Sequence, residues 1–122
     1  MSEMQNWDSK RHIALETYRK NNLAVKTPVW FVVNNNLIYV ITRDKTGKIR
    51  RLRNNPSVRI ALCDFFGKPS GDWISGNARF ATDEETKIAL DLRKKKYGLM
   101  DTIARFASRN KGNLIVFSIQ TT

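Results

Sequence analysis

The sequence predicts a mainly β domain with helices (α+β), built as a small six-stranded antiparallel barrel, and three observations carry that prediction. Six short runs of β-branched, aliphatic and aromatic residues recur along the chain. Glycine, proline and asparagine punctuate them at turn positions, and the longer helical pattern is confined to the region after residue 83. At 122 residues the chain is one domain, 1–122, without internal repeat or linker.

The elements follow in order. Residues 12–18 and 23–33 are strands, and the polar Arg19-Lys-Asn-Asn22 turns one into the other. Asn34-Asn-Asn36 makes a second tight turn, because Asn tolerates left-handed backbone angles, and 37–42 returns as a third strand, which gives an antiparallel meander. Residues 29–33 and 37–41 are apolar on both faces, as expected of strands covered by a barrel interior on one side and a helix or partner on the other. A short basic helix spans 47–54 and stops at Pro56. Strands follow at 58–63 and 72–81, across a turn with Gly67, Pro69 and Gly71. Asp83 is the expected N-cap of a helix whose apolar stripe is Ile88, Ala89 and Leu92, whose C-terminal cations run from Arg93 to Lys96, and which stops at Gly98. A second helix covers 99–107 and a closing strand 114–119.

Composition narrows the function. No apolar run approaches the ~20 residues that span a bilayer, and the first residues lack the basic and apolar parts of a signal peptide. The expectation is a soluble cytoplasmic protein with no membrane partner. One cysteine, Cys63, excludes an internal disulfide or a multi-cysteine metal site, and a single histidine leaves metal catalysis little to work with. A net charge of +11 and a pI near 10.2 call for an acidic partner: nucleic acid, an anionic surface, or a phosphorylated or carboxylated small molecule.

That charge is concentrated. Seven of the 22 Lys and Arg residues lie between Arg43 and Arg59, with Asp44 the only acid among them. Within this stretch, Ile49 and Leu52 give the short helix one apolar face, and Lys48 and Arg51 share another. Free N–H groups at the helix start, the positive dipole end, the Lys48 ammonium and the Thr42 hydroxyl converge on one anion in this reading. A solvated basic helix without a ligand is the alternative.

The spacing of Thr42, Lys48 and Asn54-Asn-Pro56-Ser-Val58 resembles the phosphate-binding segment of the pyridoxamine 5'-phosphate oxidase-like split β-barrel flavoproteins. Lys26-Thr-Pro-Val-Trp-Phe31 is similar to the strand that runs along the flavin ring in that family. Gly47-Lys48, Leu52-Arg53, Asn55-Pro56, Gly71, Trp73, Gly76-Asn-Ala-Arg79 and Lys96-Tyr-Gly98 extend the resemblance to a subgroup assigned to the deazaflavin cofactor F420.

The resemblance implies a homodimer of split, FMN-binding-like barrels with two cofactor sites at the interface. It makes Lys48 the phosphate ligand, Thr42 a hydroxyl donor to the same phosphate, and Lys26, Thr27, Pro28, Val29, Trp30 and Phe31 the wall beside the tricyclic ring. Arg51 is a weaker carry-over and Arg53 weaker still, while Trp30 and Trp73 are candidates to flank the ring. The cofactor is F420 or FMN. An acidic oligoglutamate tail on the former would account for the charge at Arg43, Lys45, Arg50 and Arg51. The implied activity is an oxidoreductase moving hydride between the cofactor and a small organic redox substrate, work that asks for positioning and water exclusion more than for a side-chain acid or base. No catalytic dyad is identified: His12 reads as a strand or surface residue and Cys63 as a packing thiol. The chain ends at Thr122 without the C-terminal Trp and Arg-rich segment of pyridoxamine 5'-phosphate oxidase itself, so vitamin B6 oxidation is not part of the expectation. Two readings from other classes stand beside it: a non-catalytic flavin carrier or sensor, and a basic nucleic-acid-binding barrel.

Overall fold

A computed structural model describes residues 7–122. Seven strands form one antiparallel sheet: β1 (Ile13–Tyr18), β2 (Ala24–Val29), β3 (Val32–Asn34), β4 (Leu37–Arg43), β5 (Ser57–Leu62), β6 (Ile74–Phe80) and β7 (Leu114–Thr121). Their order is β2-β1-β5-β6-β7-β4-β3, so two strands joined by only Trp30 and Phe31 occupy opposite edges of the sheet. Such a short connection brings the two edges together, and the sheet curls into a half-barrel split between β2 and β3.

The expected single strand over 23–33 is therefore two, and the expected meander is two hairpins that belong to opposite edges. The break has a physical cause. Phe31 turns its N–H to the Tyr97 hydroxyl at 3.1 Å instead of to a neighbouring strand, and Pro28, which has no N–H to offer a ladder, sits on an edge strand where that loss is tolerated. The hairpin from β3 to β4 turns on Asn35 and Asn36, both at positive φ, as the asparagine run predicts.

Strand β4 shows how both faces come to be apolar. Ile38 and Val40 point into the barrel with Ile13, Leu15, Ile60, Phe117 and Ile119, while Tyr39 packs on the outside against a second cluster containing Ala89, Tyr97 and Val116. That outer cover is α2 (Asp83–Tyr97); α1 (Gly47–Asn54) instead plugs one end of the barrel with buried Ile49 and Leu52. The N-cap of α2 is Thr82, one residue before the expected Asp83, because Thr82 and Glu85 form a reciprocal capping box. Its buried stripe also differs from the expected one. Ala89, Arg93 and Tyr97 face inward, four residues apart, and Ile88 is exposed. α3 (Leu99–Ala107) follows directly, with Gly98 at positive φ between the two helices.

Candidate functional site

The turn from β4 into α1 is clasped by the segment that precedes β7. Arg43 donates from Nε to the Ser108 hydroxyl at 3.1 Å, from Nη1 to the Gly112 carbonyl at 3.1 Å and from Nη2 to the Arg105 carbonyl at 2.8 Å. Asp44 exchanges bonds with Asn113, and the Lys45 N–H reaches the Lys111 carbonyl at 3.1 Å. Gly112 makes this approach feasible. Its φ is +95°, and a Cβ there would collide with the Asp44 carboxylate. Arg43, expected beside an acidic tail, thus commits all three of its guanidinium nitrogens to the clasp.

The clasp sets Lys48 next to Lys111, with Arg51 one turn further along α1. Burial is the largest influence on the Lys48 ammonium and lowers its pKa, and the like charges of Arg51 and Lys111 lower it further. No acidic group faces it among the described residues. Thr46, the N-cap of α1, spends its hydroxyl on the Arg43 carbonyl at 2.9 Å, so the first N–H groups of the helix have no side-chain cap. The Arg51 guanidinium crosses the start of the helix over Gly47, and its Nε donates to the buried Thr17 hydroxyl at 2.6 Å.

Two clefts meet at Lys48. One, of about 250 Å³, is lined by Thr42, Thr46, Lys48, Lys111, Arg93 and Ser108, among others. The other, of about 560 Å³, is lined by Val25, Thr27, Thr46, Lys48, Arg51, Asn110 and Lys111. Among the described residues, neither wall contains an acidic one. Two more basic clefts lie on the outer flank of α1, where Lys20, Arg50 and Asn54 are shared walls and Lys45 and Arg53 line one of them. Thr42 and Lys48 thus line the smaller cleft, and Thr27, Lys48 and Arg51 the larger.

The run 26–31 is divided by the pleat of β2. Val25 and Thr27 pair with Thr17 and Leu15 and turn toward Lys48, whereas Lys26 and Pro28 pair with Glu16 and Ala14 and turn to the opposite face. On that opposite face the loop between β5 and β6 folds back over the sheet. Trp73 lies there, with Lys26 Nζ 5.4 Å and Arg59 Cζ 5.2 Å from its ring centre. Beneath it, buried Glu16 accepts from Arg59 at 2.7 and 3.1 Å and from the Tyr18 hydroxyl at 2.8 Å, and the Arg59 bond leads in holding its carboxyl below the usual range. Val29 packs with the interior cluster and Phe31 is buried in it. Trp30 stacks on Tyr97 at 4.2 Å, with Arg93 Cζ 5.2 Å from its ring centre, on the α2 side of the split.

Lys111, Asn110 and Arg93 are among the wall residues that escaped the sequence reading. Lys111 and Asn110 come from a single 3-10 turn (Arg109–Lys111), and Arg93 resembles a solvated C-terminal cation but is buried beside Asp101 at 2.7 Å. No short-range pattern marks them. Tyr97 is different, because Lys96-Tyr-Gly98 was already singled out. Its hydroxyl takes the Phe31 N–H and faces the carbonyls of Arg11 at 2.7 Å and Phe31 at 3.1 Å, while Lys96 Nζ bonds the Phe31 carbonyl at 3.0 Å. These contacts fix the crossover from β2 to β3.

Acid–base groups are sparse around the clefts. His12 is packed edge-on against Phe65, with its pKa lowered by burial first and by Arg11 next, and burial raises that of the Cys63 thiol. No group of three His, Cys, Asp or Glu side chains able to hold a metal occurs among the described residues. No helix is long and apolar enough to cross a membrane among the described residues.

Comparison with known proteins places this geometry. The family model described as pyridoxamine 5'-phosphate oxidase matches residues 3–122. Among solved structures, the chain is similar to HutZ, the heme storage protein from Vibrio cholerae, at TM-score 0.75 and 15% identity over 99% of this chain and 89% of that one. It is also similar to a FAD-binding protein from Mesorhizobium loti (TM-score 0.67, 15% identity, 98% and 85% covered) and to an F420 reductase (TM-score 0.64, 16% identity, 98% and 92% covered). At these identities the likeness is one of fold. No curated protein matches the chain.

Proposed function

The chain belongs to the pyridoxamine 5'-phosphate oxidase family, and from that premise we propose that it is an oxidoreductase that binds a flavin-type cofactor, FMN or the deazaflavin F420, at a homodimer interface. It would transfer hydride to or from a small organic substrate. One observation carries the reading: Lys48 is a half-buried ammonium beside the cations Arg51 and Lys111, at the junction of two clefts, one of which runs to the edge strand β2. Unpaired charge in such a place costs stability unless an anion completes it. Cofactor phosphate fits that need.

The residues present divide the binding work. Lys48 supplies charge, the free N–H groups of α1 and the Thr42 hydroxyl supply donors, and Lys111 and Arg51 raise the local positive potential. Val25 and Thr27 give the larger cleft a β-strand wall on which a planar ring could lie. Tyr97 and Lys96 hold the end of that wall in place from α2. A bound flavin or deazaflavin supplies the hydride chemistry, and the protein contributes position, desolvation and charge. For F420, an acidic tail would meet Lys45 and Arg50 on the outer flank of α1, and not Arg43, whose guanidinium holds the clasp.

A carrier or sensor of the same cofactor is the second reading, favoured by the likeness to a heme storage protein. Heme itself suits this chain less well, since its only histidine lies against Phe65 and not in the Lys48 clefts. Absorbance and fluorescence titration of the purified protein with FMN and with F420 tests the cofactor; no binding of either at micromolar concentration overturns it. Steady-state turnover of reduced cofactor against a panel of acceptors separates enzyme from carrier.

A further inference from the structure

α3 is amphipathic the wrong way round for a helix of an isolated domain. Leu99, Ile103 and Phe106 are 75%, 58% and 67% exposed, whereas Asp101 is 1% exposed, tucked beneath the helix beside Arg93 at 2.7 Å and Arg105 at 3.0 Å. At about 3.6 residues per turn, the three apolar residues fall within one narrow arc and Asp101 points away from it. A second element also shows apolar side chains to solvent. The loop after β5 closes on itself through a bridge between Cys63 and Pro69; Asp64 accepts the N–H groups of Phe66 and Lys68, each at 2.9 Å, and Gly67 takes a φ of +85°. This ordered tip presents Phe65 and Phe66, 71% and 87% exposed. Met100 connects the two elements, since its Sδ lies 3.9 Å from Arg11 Nη1 and the neighbouring His12 ring meets Phe65 at 5.7 Å.

We infer that α3 and the Phe65-Phe66 tip form a peripheral docking face for the surface of an anionic lipid bilayer. Charge complementarity names the occupant. The apolar side chains are flanked by exposed cations: Arg109, whose Cζ lies 4.0 Å from the Phe106 ring centre, Arg11 beside Met100, Lys68 in the tip, and Lys94 and Lys95 just before α3. Both acids of the two elements are engaged, Asp101 between Arg93 and Arg105, and Asp64 with the N–H groups of its own turn. Large apolar side chains beside Lys and Arg, on a chain of net charge +11, match the boundary where acyl chains meet anionic headgroups.

Shape favours the same occupant. Phe65 and Phe66 stand at the tip of a turn and the α3 residues along the crest of a helix, so the face offers protruding side chains that a fluid interface can receive. Long cationic side chains beside them keep their charge at headgroup level while their stems lie along the apolar surface. Such a contact needs no spanning segment, and no helix among the described residues is long and apolar enough to be one. It replaces the sequence expectation of no membrane partner. The inference goes beyond the cofactor reading and does not rest on it.

Vesicle sedimentation with the full chain tests the inference. The protein should sediment with vesicles of equal parts phosphatidylglycerol and phosphatidylcholine and stay in solution with phosphatidylcholine alone. Raising the salt from about 0.1 to about 1 M, which shortens the screening length from about 10 to about 3 Å, should weaken the binding. The double variant Phe65→Ser with Phe66→Ser, and separately Ile103→Ser, should each lower partitioning at least ~10-fold while leaving the circular dichroism spectrum unchanged, because all three side chains are exposed. Arg109→Glu should weaken binding more than Lys87→Glu, the same change of charge on exposed surface near the opposite end of α2. No sedimentation with the anionic vesicles overturns the inference, and if Ile103→Ser then abolishes self-association the face belongs to a second copy. Equal sedimentation with both kinds of vesicle overturns the choice of an anionic surface. Binding that ignores the serine variants, with Arg109→Glu and Lys87→Glu equal in effect, is attraction by net charge alone and overturns the assignment of this face. Vesicle binding by a protein that takes up neither FMN nor F420 supports the face and fails the cofactor reading.

Discussion

Replacing Lys48 with Met should change two quantities in opposite directions. Methionine keeps much of the aliphatic stem and removes the ammonium. In the protein without ligand that ammonium is a burden, since burial first and then Arg51 and Lys111 push its pKa down, so the thermal midpoint of Lys48→Met should hold or rise. Anion binding should weaken. A charge-assisted hydrogen bond to phosphate contributes about 1.5–3 kcal/mol, which at about 1.4 kcal/mol per decade is roughly a 10- to 150-fold loss in affinity for FMN or F420. Calorimetric titration measures the affinity and scanning calorimetry the midpoint. The same experiment at several pH values adds a sign test. A phosphate stabilises the charged lysine and raises its pKa on binding, so affinity should fall from its neutral-pH value as pH climbs toward the ordinary lysine value of 10.5. Unchanged cofactor affinity in Lys48→Met, with binding otherwise retained, refutes the placement of the anion; a lowered midpoint refutes the account of Lys48 as an uncompensated charge.

Tyr97→Phe leaves the buried Phe31 N–H without its acceptor and should cost about 1–3 kcal/mol in urea unfolding, with cofactor affinity falling as well because the β2–β3 crossover loosens. Gly112→Ala should destabilise the fold by at least ~1–3 kcal/mol, since it combines a positive φ with a clash against Asp44; chemical denaturation measures it, and a neutral effect would mean that the clasp around Lys111 yields easily. Glu85 has its pKa lowered to about 2, chiefly by Arg79 and then by the Thr82 N–H. Its contribution to stability is complete above the ordinary 4.5 and is lost as pH falls from there toward 2, so Glu85→Gln should flatten the acid limb of the stability curve in that window.

Much of the fold was legible because its signals are local. The Asn35-Asn36 turn, the end of α1 at Pro56 and the stop at Gly98 each follow from what one or two residues can do with their backbones. The break at Trp30-Phe31 was not legible, since every residue from 23 to 33 suits a strand. It arises from Tyr97, 66 residues away, which takes the Phe31 N–H for itself. Arg93 misled for a related reason. A cation in the last turns of a helix ordinarily faces water, and only α3 folding back brings Asp101 to it. The inverted face of α3 was missed in the same way, because a stripe at 99, 103 and 106 looks like any core-facing helix until Asp101 proves to be the buried residue.

The candidate site separates along the same line. Thr42, Lys48 and Arg51 could be chosen from sequence because they sit on one strand–turn–helix of ten residues. Lys111 could not, because what carries it to Lys48 is the clasp between residues 43–46 and 105–113, and that clasp depends on a glycine whose role shows only when its neighbours are in place. The ring wall is the instructive middle case. Residues 26–31 match a family strand as a continuous run, but a strand presents alternate side chains to opposite faces, and the register puts Thr27 with Leu15 and Lys26 with Glu16. Only the odd-numbered set can share a cleft with Lys48. Lys26 and Trp73, on the far side with Arg59 and Glu16, would then act on a ligand only through the position of β2 or from a partner subunit's side, so substitution of Thr27 should alter cofactor affinity more directly than substitution of Trp73, which the same titration would resolve.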